Sequence, residues 1–325
     1  MRNLRKWLLE RLPRYDVVYC DFMRDESAMV VELARRLHVP CVVRCGALMG
    51  ANDIVWQASL RSRQSIFQRC LAADAIIAPR ASAQQGLLAA GAKSPTIVRI
   101  ADGIGDPLRR TKATIAAARK SLAEVNHDLN VPVDGRVLLC MNRLSPEGGV
   151  SSLLASIWPV LDQRPDDRLW LIGDGSWRAK IFSEIKGHGI GRSAFMPGSF
   201  DHIDELMHAA DVFVLPSASD GVESFWPTAI AAGLPSVVVD CPDTRAYLGG
   251  AFSDTHHFAA QDVDQLQFKL HEVLEHYDEA SIAAERLRKR LAQTTPLSDS
   301  IARHVRLFQS LAAMRDVSNV GGATG

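Results

Sequence analysis

Short apolar runs rich in β-branched residues alternate along the chain with longer segments in which apolar residues recur at helical spacing. The short runs are continuously apolar, which is typical of strands that helices cover on both faces. Such strands form parallel sheets with right-handed connections. The strands predicted in the first third of the chain are Asp16–Cys20, Pro40–Arg44, Ala75–Pro79 and Thr96–Ile100.

A second series of strands and helices follows a polar segment, Gly103–Gly135, which carries Gly and Pro at both ends and indicates a domain connection. We predict a first domain over residues 1–104, a connection over 105–135, a second domain over 136–292 and a C-terminal helix over 293–318. The strands predicted in the second series are Arg136–Met141, Arg168–Ile172, Ala194–Met196, Val212–Leu215 and Ser236–Asp240. In the last helix, Ile301, Val305, Phe308 and Leu311 fall on one face, which should be buried.

Composition excludes several classes of protein. Of the 325 residues, 47% are hydrophobic and 23% are charged, which is typical of a globular protein rather than a disordered one. The 37 Lys and Arg balance the 37 Asp and Glu, so no charge excess indicates a nucleic-acid partner. No apolar run approaches the ~18 residues of a membrane-spanning helix, and the six cysteines form no CxxC pair. We therefore expect a cytoplasmic protein with free thiols and no metal site.

Three segments of the second series carry candidate chemistry. Arg143 follows a predicted strand and stands beside two glycines and a helix start, where a guanidinium could clamp a diphosphate. A Gly-Asp-Gly turn at 173–175 would let a ligand approach the backbone closely. The polar loop around Asp220 follows a buried strand and could bind sugar hydroxyls and phosphate oxygens. For Arg143 a surface ion pair is an equal alternative, and a Gly-Asp-Gly turn is also common without a ligand.

In their order and spacing, these segments resemble the nucleotide-binding half of family 4 glycosyltransferases, which have the GT-B fold. The resemblance implies two doubly wound, parallel-sheet, Rossmann-like domains that face a cleft, with the C-terminal helix returning to the first domain. It also implies transfer of a sugar from a nucleotide-diphosphate sugar to an acceptor hydroxyl, usually with retention at the anomeric carbon. The chain enters this fold one or two βα units late, so we expect a truncated or reduced first domain.

The resemblance assigns a role to each matching residue. Arg143 would stabilise the departing diphosphate, and Asp220 would contact hydroxyls of the donor sugar as the second catalytic residue. The base would lie near Gly173 and Gly198. The expected donor-binding residues are Gly148, Gly173, Asp174, Gly175, Gly198, Gly221, Val222, Glu223, Ser224 and Thr228.

Two positions on the donor side depart from the family pattern, and a His that is often found in the first domain is replaced around Arg44–Ala47. Gly148 stands where the family has a Lys that binds the diphosphate, which removes a positive charge unless Arg178, Lys180 or a metal compensates. Thr228 stands where a second Glu usually holds the ribose, and its hydroxyl could make one hydrogen bond in place of two.

Candidate residues on the acceptor side follow the first two strands. Asp21 follows the first strand, and Arg44 and Asp53 flank a glycine-containing loop after the second. The adjacent His256 and His257 have no acidic or Cys partner at metal-ligand spacing, and a surface or strand-edge location is the favoured interpretation. The basic opening helix, with Trp7, could lie on a membrane surface, although packing against the sheet is favoured.

The hypothesis is a glycosyltransferase of the hexosyltransferase type that acts in glycan, polysaccharide or glycolipid assembly. It would need no cofactor and no obligatory metal. Its partners would be a nucleotide sugar and a glycan or lipid-linked acceptor, in the cytoplasm or at the inner membrane face. The alternative is a catalytically degraded member that binds a nucleotide or a partner as a scaffold, which Gly148 and Thr228 favour. A nucleotide-sugar epimerase is a weaker third hypothesis.

Overall fold

The structure is a computed structural model that describes residues 2–48, 51–105, 110–217, 225–249 and 255–321. Twelve strands are described in these ranges. They are, as β1 to β12, Val18–Asp21, Cys41–Arg44, Ala47–Leu48, Ala51–Asn52, Ala75–Ala78, Ile97–Arg99, Val137–Met141, Arg168–Ile172, Ala194–Gly198, Val212–Leu215, Ser236–Asp240 and His256–Ala259. The α-helices described are, as α1 to α14, Arg2–Arg11, Asp25–Arg36, Asp53–Ala58, Arg61–Cys70, Ala81–Ala89, Lys112–Val125, Val150–Gln163, Arg178–Gly187, Asp204–Ala209, Trp226–Ala231, Pro242–Leu248, Val263–Glu275, Tyr277–Thr294 and Leu297–Gly321.

The chain divides into two compact units. Unit 1 contains residues 1–103 and 297–325, and unit 2 contains residues 104–296. The chain therefore passes between the units twice. On the unit 2 side the two passages run side by side, because Ile104 N donates to the Thr295 carbonyl at 2.8 Å. The segment expected as a connection, 105–135, contains α6 and belongs to unit 2.

Unit 1 is built on a four-stranded parallel sheet in the order β1-β2-β5-β6. Each strand is added on the same side of the preceding one, so right-handed connections place the intervening helices on one face. On that face, buried side chains of α2 and α4, such as Leu33 and Phe67, pack over Val43 and Ile76. The opposite face would be left open by these connections.

The C-terminal helix α14 covers that second face. Leu307, Phe308 and Leu311 pack against a cluster that includes Val42 and Ile77 of the sheet. Phe308 also meets the Tyr19 ring edge-on, with ring centroids 5.8 Å apart. The helix therefore completes the core of unit 1.

The predicted burial of the apolar stripe of α14 is confirmed for its second half only, at Phe308 and Leu311. Ile301 and Val305 are 54% and 44% exposed, and Leu307 makes a contact that the pattern did not predict. Strands of three or four residues span about 10–13 Å, which is about two turns of helix. The sheet is therefore too short to cover the whole stripe.

Unit 2 contains a six-stranded parallel sheet in the order β12-β11-β10-β7-β8-β9. This is the order of a Rossmann fold: the chain first moves from β7 to β9 and then resumes on the other side of β7 with β10. Because the direction reverses, right-handed connections cover both faces. Two clusters of buried apolar side chains occupy these faces, one including Trp170 and Phe213 and the other including Leu171 and Val214.

A partly buried ion pair fixes the start of the unit 2 sheet. Arg119 of α6 donates to the Asp211 carboxylate at 2.5 Å and to the Gly135 carbonyl at 3.1 Å. The same carboxylate accepts the Val137 N–H at 2.7 Å. The helical part of the expected connection is in this way a structural element of unit 2.

The strands predicted from the apolar runs are confirmed, with ends that differ by at most two residues. Three of the described strands were not predicted: the two-residue strands β3 and β4, and β12 at His256–Ala259, whose one fully buried apolar side chain is Phe258. All six cysteines are free thiols. No helix in the described part of the chain is both long and apolar enough to cross a membrane.

Candidate functional site

The reversal of strand order in unit 2 creates a crevice between the carboxyl ends of β7 and β10. Rossmann-like sheets bind ligands at this switch point, because the connections leave β7 and β10 toward opposite faces. Arg143 follows β7 by two residues, and Ser217 follows β10 by two. The candidate donor-side residues that the structure describes lie at this edge or one or two strands away from it.

The loop after β7 is shaped by a buried asparagine. Asn142 donates from Nδ2 to the Gly148 carbonyl at 2.7 Å, and its Oδ1 accepts the Arg143 N–H at 3.0 Å. Arg143 is half-buried, and its guanidinium makes no hydrogen bond or ion pair with a residue that the structure describes. The loop ends at Gly149, which has a φ of +71° and begins α7 without a side-chain cap. A guanidinium and an uncapped helix N-terminus together favour an anion.

The Gly-Asp-Gly turn after β8 packs backbone to backbone against this loop. A Cβ on Gly173 would lie 2.1 Å from the Asn142 carbonyl oxygen, and one on Gly175 would lie 2.3 Å from that of Leu144. Leu144 N in turn donates to the Asp174 carbonyl at 3.1 Å. Glycine is therefore required at both positions by close packing of the two loops. Asp174 itself is exposed.

Gly198 ends the neighbouring strand β9. Its carbonyl accepts the Gly173 N–H at 2.9 Å, and its φ of +106° is one that glycine adopts without strain. The predicted donor-side glycines at 173 and 198 are thus brought together by a direct hydrogen bond.

The loop after β10 is joined to the loop after β7. Ser217 donates to the Glu147 carbonyl at 2.6 Å, and a Cβ on Gly149 would lie 2.8 Å from the Pro216 carbonyl oxygen. The donor-side candidates Asp220, Gly221, Val222, Glu223 and Ser224 lie outside the described residues. Thr228 is half-buried in the first turn of α10.

Gly148 has a steric role that the sequence did not reveal. A Cβ at this position would lie 2.2 Å from the Arg143 carbonyl oxygen, so the tight loop has no room for any side chain. The two cations considered as substitutes are both engaged within unit 2. Arg178 donates to the Met196 carbonyl at 3.0 Å, and Lys180 lies 3.3 Å from the Trp177 ring centroid and 3.5 Å from Glu184.

A cavity of about 870 Å³ adjoins the glycine turn on the outer side of β9. Phe182 and Lys186 of α8 line it, and it reaches Ser176, the residue after Gly175, and Met196. It therefore lies beside the edge strand and away from the switch point between β7 and β10.

In unit 1, Arg44 and Asp21 lie at the carboxyl ends of the paired strands β2 and β1. Arg44 donates to both carboxylate oxygens of Asp102, at 2.9 and 2.8 Å, and lies 3.7 Å from Asp21. Tyr19 donates to Asp21 at 2.9 Å, and burial together with this carboxylate raises the pKa of Tyr19. The Asp21 side chain is half exposed and open to a ligand, whereas the Arg44 guanidinium is largely neutralised.

Asp53 is fully buried and holds the loop after β2 in place. Its Oδ2 accepts the N–H groups of Met23 and Gly46 at 2.8 and 3.0 Å, and its Oδ1 lies 3.2 Å from Arg24 Nε. The Arg24 guanidinium lies over the Trp56 ring at 4.1 Å. Burial raises the pKa of Asp53 to about 6, against the opposing effects of the backbone hydrogen bonds and of Arg24. In the described conformation its carboxylate supports the loop and does not reach solvent.

His256 and His257 lie on β12, the edge strand opposite β9 in the unit 2 sheet. His256 Nδ1 is 3.4 Å from Glu272, and burial lowers the pKa of His256. Among the described residues, no group of three or more His, Cys, Asp or Glu could hold a metal ion.

Two of the residues that shape the site were not singled out from the sequence. These are Asn142 and Ser217, which tie their loops to neighbouring carbonyls. A signal was available for Asn142, since a short polar side chain directly after a buried strand readily bonds to nearby backbone.

Similarity to known proteins is strongest in unit 2. Residues 135–276 match the family model for glycosyl transferases group 1. An exopolysaccharide phosphotransferase of Streptomyces coelicolor is 31% identical over 109 residues, which is 33% of this chain and 11% of that protein. TuaC of Bacillus subtilis, named as a teichuronic acid biosynthesis glycosyltransferase, is 29% identical over 126 residues, which is 39% of this chain and 30% of that protein. The matched segments thus span less than a third of either relative.

The fold is shared over nearly the whole chain. The crystal structure of Anabaena HepE in complex with UDP and glucose matches with a TM-score of 0.75 and 16% identity, over 95% of this chain and 81% of that one. The chain therefore has the GT-B type of fold, with two parallel-sheet α/β domains, as predicted.

We predict that replacing Gly148 destabilises unit 2 and does not restore a useful cation. Gly148→Ala and Gly148→Lys should each lower the free energy of unfolding by about 1–3 kcal/mol, because any Cβ collides with the Arg143 carbonyl. Urea denaturation measures the difference. The matched control is Gly187→Ala in α8, where nothing lies near an added Cβ. A Gly148→Lys protein as stable as the unmodified one would show that the loop has room for a side chain.

The titration of Asp53 should make the stability of unit 1 depend on pH. Its pKa of about 6 in the folded protein lies above the ordinary value of 3.8, so the folded state binds this proton more tightly than the unfolded chain. The resulting stabilisation is present below the unfolded pKa and is lost as the pH rises through the folded pKa. Relative to Asp53→Asn, the free energy of unfolding should fall by about 2 kcal/mol from about pH 4.5 to about pH 7.5. A difference between the two proteins that is independent of pH would mean that Asp53 stays ionised.

Proposed function

We propose that this protein is a retaining glycosyltransferase of the family 4 type that moves a hexose from a nucleotide-diphosphate sugar to an acceptor hydroxyl. The observation that carries the proposal is the convergence of Arg143, the uncapped N-terminus of α7 and the close-packed glycine loops at the switch point of unit 2. The similarity of residues 135–276 to glycosyl transferases group 1, and the UDP and glucose bound by HepE, support it.

In the proposed reaction the anomeric C–O bond to the diphosphate breaks, the acceptor oxygen forms a new bond to the same carbon from the same face, and its proton passes to an oxygen of the departing diphosphate. The departing diphosphate gains negative charge, which Arg143 and the first amides of α7 stabilise. Asp220 and the amides of Gly221, Val222 and Glu223 hold the donor sugar. The base lies near Gly173 and Gly198. Unit 2 has a net negative charge, with 19 Lys and Arg against 26 Asp and Glu. The attraction of a diphosphate to this unit therefore depends on the local positive groups, which are Arg143 and the first amides of α7.

No cofactor or obligatory metal enters this proposal, because the charge of the leaving group is met by Arg143 and α7. The alternative, a nucleotide-binding scaffold without turnover, is favoured by one specific observation. The loop has no room for a side chain at position 148, so the cation that the family places there has no direct replacement. A panel of donors assayed for both binding and nucleotide release separates the two.

We propose polysaccharide or glycolipid assembly as the setting, with unit 1 at an anionic membrane surface. The relatives in Streptomyces coelicolor and Bacillus subtilis are named for exopolysaccharide and teichuronic acid. Unit 1 carries 18 Lys and Arg against 11 Asp and Glu, a net charge of +7. On α1, Leu8 is buried while Trp7 and Leu9 are 50% and 41% exposed beside the exposed Lys6. Exposed aromatic and basic side chains on one helix are typical of an interfacial contact.

Arg143→Ala should weaken donor binding about tenfold and lower turnover by about 10²–10³-fold, because the leaving diphosphate loses its guanidinium. Calorimetry with UDP-, GDP- and ADP-sugars measures binding, and release of the nucleotide measures turnover. Arg192→Ala is the matched control, because Arg192 is exposed and its substitution removes the same charge from unit 2. Turnover that is unchanged in Arg143→Ala would remove Arg143 from the mechanism. Binding of a donor without turnover would favour the scaffold.

Vesicles rich in phosphatidylglycerol should sediment the full chain, whereas vesicles of phosphatidylcholine should not. Lys6→Ala should weaken this binding about fivefold, since a basic group near an anionic surface contributes about 1 kcal/mol. Trp7→Ser should weaken it to a similar extent. Trp158→Ser is the matched control, because Trp158 is 39% exposed on α7 of unit 2. Equal sedimentation of all variants would contradict a role for α1.

A further inference from the structure

Two arginines lie side by side at the carboxyl edge of the unit 1 sheet. Strands β5 and β6 pair with Ala78 opposite Arg99, and Ile100 N donates to the Ala78 carbonyl at 3.3 Å. Arg80 follows Ala78 by two residues and is the N-cap residue of α5. The last residue of β6 and the N-cap residue of α5 therefore lie at the same edge of the sheet, close enough for the charge of Arg80 to act on Arg99.

Arg99 lacks the compensation that a buried guanidinium normally has. Its side chain is half-buried, and its Nη1 is shielded from solvent and makes no hydrogen bond to any described residue. No carboxylate of the described residues forms an ion pair with it. Burial, followed by the positive charge of Arg80, lowers the pKa of Arg99. A buried donor without an acceptor, next to a second cation, is unfavourable in the protein alone.

Arg44, at the same edge of the sheet, shows the contrast. It lies at the end of β2, the strand next to β5, and it forms ion pairs with two carboxylates, Asp102 at 2.8 Å and Asp21 at 3.7 Å. The edge therefore offers one arginine that carboxylates compensate and, two strands away, Arg99, which forms no ion pair with a described residue. The half-exposed Asp21 beside Arg44 is suited to a hydroxyl, and Arg99 is suited to an anion.

The start of α5 adds to the positive potential. This nine-residue helix has no side-chain cap, since its N-cap residue is Arg80, in extended conformation. The N–H groups at the start of a helix favour negative charge. A guanidinium and a helix N-terminus are both donors that match the oxygens of a phosphate group.

We propose that Arg99, with Arg80 and the N-terminus of α5, binds a phosphate-type oxyanion carried by the acceptor substrate. The proposal rests on the proposed function in one respect, which is that unit 1 holds the acceptor. It narrows the acceptor to a molecule with a phosphate group a short distance from the hydroxyl that receives the sugar. The phosphate belongs either to a soluble sugar phosphate or to a lipid headgroup.

The test uses the full chain and inorganic phosphate as the probe, with binding followed through the Nε–H signals of arginine side chains in NMR spectra. Arg99→Gln should weaken phosphate binding about tenfold, because a charge-assisted hydrogen bond is lost. Arg99→Lys keeps the charge and should retain part of the affinity. Arg36→Gln is the matched control, since Arg36 is exposed at the far end of α2. Thermal unfolding of each variant shows whether the fold is kept.

The same titration in Arg143→Ala separates this site from the donor site. Phosphate binding that survives Arg143→Ala and is lost in Arg99→Gln supports the proposal, even if no nucleotide sugar is turned over. Phosphate binding that persists unchanged in Arg99→Gln, or that vanishes in Arg143→Ala, overturns it. The failure of the proposed function is seen separately, as a chain that binds none of the donor panel.

Two soluble ligands then distinguish the sources of the phosphate. Glucose 6-phosphate presents it on a sugar, and monomeric dihexanoyl phosphatidic acid presents it on a lipid. Both should compete with inorganic phosphate in an Arg99-dependent manner, and the tighter ligand identifies the source. Failure of both to compete would overturn the assignment to an acceptor.

Discussion

Every strand of the two large sheets is parallel, and most are apolar on both faces, so each sheet must be covered twice. Unit 2 meets this requirement through its strand order, which reverses at β7 and sends helices to both faces. Unit 1 cannot cover both faces of its sheet in this way, because each of its four strands is added on the same side of the strand before it. Its second face is covered by α14, which comes from the opposite end of the sequence. The return of the chain to unit 1 is thus a consequence of strand order.

The same difference in strand order shapes the two candidate sites. In unit 2 the reversal opens a crevice, and backbone contacts between three loops leave little freedom at Gly148, Gly173 and Gly175. In unit 1 there is no reversal, and the polar groups are positioned by register at the ends of neighbouring strands. Arg44 and Arg99 are placed in this way. The strand order thus gives one unit a rigid crevice and the other a row of charged side chains, to which the proposed function assigns the donor and the acceptor.

Much of the fold could be predicted from the sequence, because a continuously apolar run indicates a strand that is buried on both faces. The strand β12 could not be predicted, because two of its four residues are histidines and Phe258 is its one fully buried apolar side chain. The position of Arg143 after a strand was predictable, whereas two roles depend on packing that no local pattern encodes. Gly148 looked like a missing charge and is a steric requirement, and Asp53 looked like a ligand contact and is a buried support. Arg99 gave no signal, because an arginine at a strand end is ordinarily solvated.

The position of α14 in the sequence also sets the order in which the protein can mature on the ribosome. The strands of unit 1 are complete once residue 99 has been made, but Leu307, Phe308 and Leu311 are synthesised about 200 residues later. At about 5–20 residues per second, that interval is roughly 10–40 seconds. During this time one apolar face of the sheet has no partner within the nascent chain, while unit 2 can already fold. The part of the protein that is translated first is therefore the last to be finished, and its open face is a natural target for chaperones during synthesis.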